Sequence, residues 1–130
     1  MGKWVDLDME LDIKKTLLIL ISLLMIAGCD KYPYASEARK VILNITRASI
    51  MYYTNEKEWA SEIDELERSG HLDVSRSMKL KWTFDIQLSG KGGRIIATST
   101  EEMPEGAGHQ VVYDVNTRMF SGYGTPPPKK

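Results

Sequence analysis

The apolar positions of this chain change their period along its length. From residue 16 to 28 the chain reads TLLILISLLMIAG, thirteen residues without a charge, behind Lys14 and Lys15. Residues 37–54 hold neither glycine nor proline, and Ala38, Val41, Ile42, Ile45, Ala48 and Tyr52 recur at spacings of three and four. That spacing predicts an amphipathic helix, with Ser36 as its cap and Glu37 at its positive end. Leu43 and Ile50 fall off the apolar face, seven residues apart: they are either two scattered exposed apolar residues, which are common, or a second, weaker stripe. They are candidate contacts for a partner, as is an exposed sheet edge. Residues 54–57 are polar and should end the helix. Trp59, Ile63 and Leu66 then predict a short second helix, with Gly70 where a left-handed cap is wanted. Residues 71–78 read as a connecting loop.

From Leu80 the period becomes two. Leu80, Trp82, Phe84, Ile86 and Leu88 alternate with Lys81, Thr83, Asp85 and Gln87, the pattern of a half-buried strand. A hairpin loop over residues 89–93 leads to a second strand at 94–99. After a loop over 100–108, a third strand is expected at 110–114 and a fourth at 119–123, joined by a turn at 115–118. Short connections favour an antiparallel meander. The expected fold class is α+β: one long N-terminal helix and a short helix packed on a four-stranded antiparallel sheet. The expected inward set includes Ile45, Ala48, Tyr52, Trp82, Phe84, Ile86, Ile96, Val112 and Phe120.

Composition sharpens this only in places. The chain has 130 residues, a formal charge of −1, 42% apolar residues and one cysteine. These numbers fit one globular domain. Near-zero charge offers no bulk field for nucleic acid, and no nucleic-acid partner is expected. A lone cysteine forms no intramolecular disulfide and no cysteine-rich zinc site.

The position of that cysteine says more. The apolar run is short for a membrane span, which takes ~20 residues, but matches the ~7–15 residues of a signal-peptide core. It ends in Ile26-Ala27-Gly28-Cys29. This resembles a bacterial lipobox: an aliphatic residue, two small residues for the peptidase, then the cysteine that takes the lipid and becomes the mature N-terminus. The resemblance implies a signal peptide over 1–28, lipidation at Cys29 and attachment to the extracytoplasmic face of a bacterial membrane. Asp6, Asp8, Glu10 and Asp12 are unusual before such a core, and Met9 is a candidate start. Asp30 resembles the inner-membrane retention signal of proteobacterial lipoproteins. The expected mature chain has 102 residues with fourteen basic and fourteen acidic side chains, hence no net charge. Its organisation is read as a lipidated tether over 29–35, a globular domain over 36–124 and a disordered proline- and lysine-rich tail over 125–130. Tyr32 and Tyr34 in the tether are candidates for the headgroup level of the bilayer.

Motifs of catalysis are not found: no phosphate loop opening a helix, no zinc-protease helix, no nucleophile elbow and no dinucleotide fingerprint. No enzyme activity, cofactor or metal is expected. His71 and His109 are far apart in sequence, and the acids Glu56, Glu58, Glu62, Asp64, Glu65 and Glu67 read as a solvated helix face.

The stretch 36–124 resembles the type IV pilin and type II secretion pseudopilin superfamily. The resemblance runs from SEARKVILNITRASIMYYTNEKEW through IDELERSGHL to VVYDVNTRMFSGYG. Its elements are a spine helix closing on aromatic residues, an Asn-containing turn, a short helix ending in glycine, and a strand meander. It implies a non-catalytic, pilin-like domain acting by protein–protein contact as an accessory to a secretion or pilus-type assembly. In pilins the apolar half-helix follows the cleavage point; here the apolar run precedes Cys29. The competing expectation is an envelope lipoprotein that binds a small ligand or envelope component, with a fold unrelated to pilins. It calls for an apolar pocket between helix and sheet.

Overall fold

In the computed structural model, residues 31–126 are described. Helix α1, Pro33–Glu56, crosses one face of a sheet whose strands β1 (Trp82–Ser89), β2 (Gly92–Ser99), β3 (Gln110–Asp114) and β4 (Met119–Gly122) lie in chain order. All three strand pairs are antiparallel. Two short helices, α2 (Ile63–Arg68) and α3 (Arg76–Lys81), fill the connection from α1 to β1. The architecture is α+β, with a four-stranded antiparallel meander.

Helix α1 starts earlier than its pattern suggests. Pro33 stands in its first turn, where the missing N–H costs nothing and the fixed φ suits the helix. Ser36 is therefore inside the helix, and Pro33 and Tyr34, read as tether, belong to α1. At the other end Lys57 adopts a left-handed conformation (φ 62°) and its N–H bonds the Tyr53 carbonyl, closing the helix among the polar residues expected to do so. The buried stripe is Ala35, Ala38, Ile42, Ile45, Ala48 and Ser49. Its three alanines keep the inner surface of α1 low, so that the backbone can lie close to the sheet.

Helix α2 ends as the sequence predicts. Gly70 has φ +83°, its N–H bonds the Glu67 carbonyl, and the His71 N–H reaches back to the Leu66 carbonyl. This double closure satisfies carbonyls that the helix end leaves open. Helix α3 stands where the pattern predicts loop and strand start. Ser75 caps it by accepting from the Met78 N–H at 3.2 Å, and Leu80 belongs to it, 52% exposed. Leu80 happens to lie in phase with the alternation of β1, which hides the helix from a period-two reading. Thr100 holds the junction: its N–H bonds the Lys81 carbonyl at 2.8 Å and its hydroxyl donates to the Leu80 carbonyl.

The register fixes which strand residues face α1. Ile86 lies opposite Ile95, Ile95 opposite Tyr113 and Tyr113 opposite Phe120; Phe84 lies opposite Ala97 and Ala97 opposite Val111. Trp82, Ile86, Ile95, Ala97, Val111 and Tyr113 are buried, and Phe84 and Phe120 are half-buried against them. Ile96 and Val112, expected inward, face the other side, where they lie opposite each other. Both belong to apolar doublets, Ile95-Ile96 and Val111-Val112, so alternation alone leaves the phase open. Tyr52, also expected inside, is half-buried, its hydroxyl 3.4 Å from Glu65 Oε2. Met103 is 2% exposed and plugs the core from the loop between β2 and β3. That loop is tied down by Ser99, whose Oγ donates to the Gly106 carbonyl at 2.7 Å and accepts from the His109 N–H at 2.8 Å.

At the far end of the sheet, Asn116 clamps the β1–β2 hairpin. Its amide donates to the Lys91 carbonyl at 2.8 Å and accepts from the Gly93 N–H at 3.0 Å. Gly92 has φ +102°, a backbone conformation that other residues rarely adopt, and a Cβ there would displace the Asn116 side chain from its clamp.

Candidate functional site

Cys29 and the residues Ile26, Ala27 and Gly28 lie outside the described residues, as does most of the tail. Among the described residues no helix is long and apolar enough to cross a membrane.

The two candidate contacts on α1 stand on its outer side, Leu43 38% and Ile50 52% exposed. Met51, which the apolar period does not single out, is 52% exposed beside them. Four of the seven large apolar side chains exposed among the described residues sit on this helix: Leu43, Ile50, Met51 and Tyr53. Tyr53 is covered on one side by Trp59, stacked at 4.4 Å between ring centroids. The helical repeat puts Arg47 between Leu43 and Ile50. A surface cleft opens beside this stripe, lined by Arg47, Met51 and Asn44 of α1 and by His71 and Asp73 after α2. His71 Nε2 lies 3.2 Å from the Asn55 amide nitrogen.

A second cluster gathers at the end of the molecule where α1 begins. Tyr123 is its centre. Tyr32 meets it edge-on at 5.5 Å, His109 stacks on it at 4.3 Å and Trp82 lies tilted at 6.5 Å. Burial pushes the Tyr123 hydroxyl up to about 12, with the Glu105 carboxylate adding to the effect. Tyr34 lies under the Lys81 ammonium at 5.3 Å, and Lys81 pairs with Glu37 at 3.0 Å. Tyr32 and Tyr34 are thus packed on the domain and are not part of a free linker. Tyr32 keeps 38% of its surface exposed.

The acidic stretch is more structural than a solvated face. Glu65 accepts from the Ser61 hydroxyl at 2.9 Å and from the Ser61 N–H at 3.3 Å. Those bonds hold its carboxyl below the usual carboxylate range. Tyr52 shifts the opposite way, raised by burial and then by the Glu65 charge. Glu67 ties α2 to α3 and to the segment between them: it pairs with Lys79 at 2.6 Å and accepts from the Val74 N–H at 3.4 Å. The bond to Glu67 raises the Lys79 ammonium. Glu56, Glu58, Glu62 and Asp64 remain exposed.

The two histidines are engaged in different neighbourhoods, His71 with Asn55 and His109 with Tyr123 and the Glu105 carbonyl. Among the described residues no three His, Cys, Asp or Glu side chains gather as a metal would need. Compared with known protein families, with curated proteins and with solved structures, the chain matches none of them.

Proposed function

We propose that this chain is a non-catalytic lipoprotein, anchored through Cys29 on the extracytoplasmic face of a bacterial membrane, whose pilin-like domain works by contact with other proteins. Its place would be that of an accessory to a type II secretion or type IV pilus-like assembly, in the inner membrane if Asp30 acts as a retention signal. The observation that carries the reading is the exposure of Leu43, Ile50 and Met51 around Arg47 on the outer side of a helix whose other side is already seated on the sheet. Large apolar side chains grouped on one surface mark contact sites, whereas scattered ones do not. The lipobox residues Ile26, Ala27, Gly28 and Cys29 supply the anchor, and a long helix across an antiparallel meander is compatible with a pilin-like head.

The test has two arms. Cys29→Ser should leave the protein unprocessed or release it from membranes, and unchanged lipid labelling and fractionation would refute the anchor. A crosslinked pull-down from membranes should recover a protein partner with the native chain and lose it with the exposed-site double variant L43D/I50D. Equal recovery by both chains would remove the stripe as the contact.

A further inference from the structure

The two edges of the sheet differ in how they end. At β4 the edge is four residues long, and the Gly122 carbonyl is already taken by the Thr125 N–H at 3.1 Å. At β1 it is eight residues long. The two-residue turn at Gly90 and Lys91 pairs Ser89 with Gly92, so the odd residues of β1 point their backbone groups at β2. The neighbouring pair confirms the phase, because Ser99 and Gly93 of β2 bond toward β3, to His109 and Val115. The even residues of β1 therefore turn their N–H and C=O groups outward. The Trp82 N–H is spent on the Met78 carbonyl. Phe84, Ile86 and Leu88 remain, with no backbone partner among the described residues.

Natural edge strands are usually guarded by proline, lysine, a bulge or shortness. At β1 these four are missing; the strand carries the one charge of Asp85, and α2 and α3 lie against it without bonding the outward backbone groups of Phe84, Ile86 and Leu88. The segment Thr83–Ser89 holds no Pro and no Lys, and its pairing with β2 runs without a break in register. Phe84 and Leu88 are also left half-buried on the inner face, as side chains at an open edge are.

We infer that β1 pairs antiparallel with β1 of a second copy, about a two-fold axis at Ile86, to give one continuous eight-stranded sheet. This register follows from the residues. Phe84 meets Leu88 of the second copy, Ile86 meets Ile86, and all three outward-facing rungs are used. On the polar face Asp85 stands opposite Gln87 of the second copy, an acceptor opposite a donor. Within the chain the Gln87 amide donates to Asp85 at 2.7 Å and its Oε1 accepts from Arg94 at 3.2 Å, so the pairing exchanges the Asp85 bond for the same kind of bond between copies. The competing registers are worse. Moving the axis to residue 85 sets Asp85 against Asp85, and like charges directly opposite destabilise a strand pair. Moving it to residue 87 leaves a rung unpaired. The inference is independent of how the chain is anchored.

The experiment uses the full chain, in whichever cell fraction it is recovered. In this pairing residues 85 and 87 of different copies face each other closely, within disulfide reach, whereas 85 faces 85 only diagonally, beyond it. The double variant D85C/Q87C should form a disulfide-linked dimer under mild oxidation, well above the parent chain and above either single variant. Dimer no more abundant in the double variant than in the singles would overturn the pairing. Gln87→Asp, at an exposed position, should weaken self-association about tenfold by sedimentation of the purified protein, since it sets two carboxylate pairs across the axis. D85N/Q87D should restore it. Self-association unmoved by Gln87→Asp would also overturn the proposal, and an unchanged thermal midpoint at dilutions where the parent chain is monomeric separates a broken interface from a broken fold.

Discussion

The two faces of the sheet are made from the same strands and differ almost completely. Toward α1 lie Trp82, Ile86, Ile95, Ala97 and Val111, none more than 6% exposed. Away from it lie Thr83, Asp85, Gln87, Arg94 and Gln110, all exposed, with Ile96 and Val112 half-buried between them. Ile95 and Ile96 are chemically the same residue, adjacent in one strand. Position in the pleat, set by pairing, decides which one is core. The Ile86–Ile95 pairing places one isoleucine under α1 and leaves the other on the outer face, between Asp85 and Val112.

The strongest way to break this contrast is to truncate both residues. Ile95→Ala should cost ~2–5 kcal/mol, because the helix and the flanking strands close over it and the vacated space stays empty. Ile96→Ala removes the same atoms from a half-wetted surface and should cost roughly 1 kcal/mol. Denaturant midpoints of the two variants measure the difference. Equal losses would mean that the sheet does not have one dry face and one wet face.

The same pair shows what can be read from the chain alone. The stripe of α1 is legible because Ala38, Ile42, Ile45 and Ala48 obey one period with no competitor, and Gly70 is legible because a left-handed cap asks for that residue. Strands β3 and β4 stand out between turn residues. The sheet face at Ile96 and Val112 is not legible, because an apolar doublet satisfies either phase and only pairing with β1 chooses. Helix α3 is hidden by Leu80, in step with a strand it does not join. The start of α1 is obscured because Ser36 is a good cap and Pro33, the actual first-turn residue, also reads as a linker. Met103 carries no periodic signal, since a loop residue becomes core only once the loop folds back. For the candidate site, the exposure of Leu43 and Ile50 follows from helical phase, whereas Met51 stands apart from that spacing. The edge of β1 can be judged only after strand order and register are known, because the same eight residues in a central strand would have no free rung.

A finer probe of the dry side is Ser49. It lies on the inner stripe of α1 with no exposed surface, and its Oγ has no hydrogen-bond partner. A hydroxyl stripped of water without compensation is a cost that the fold carries. Ser49→Ala should therefore raise stability by about 1 kcal/mol, seen as a higher denaturant midpoint at unchanged slope. A loss of stability would mean that the layer between α1 and the sheet is wetter than the burial of its neighbours indicates.

The smallest effect at neutral pH, and the one that separates dry from wet by titration, belongs to Tyr123. Its hydroxyl is raised from the ordinary tyrosine value near 10 to about 12, by burial first and the Glu105 charge second. A folded value above the unfolded one means that folding favours the protonated phenol. The associated stability is fully present below pH ~10 and is lost as the pH climbs through the folded value of about 12. Tyr123→Phe keeps the ring against Trp82, Tyr32 and His109 and removes the ionisable group. The variant should be at least as stable as the parent chain at neutral pH, since the buried hydroxyl has no hydrogen-bond partner to lose, and should outlast it further in alkali. Phenolate absorbance should show one tyrosine of the parent ionising late, a step missing from the variant. If parent and variant lose stability together in alkali, the aromatic end where α1 begins is solvated like the outer face of the sheet.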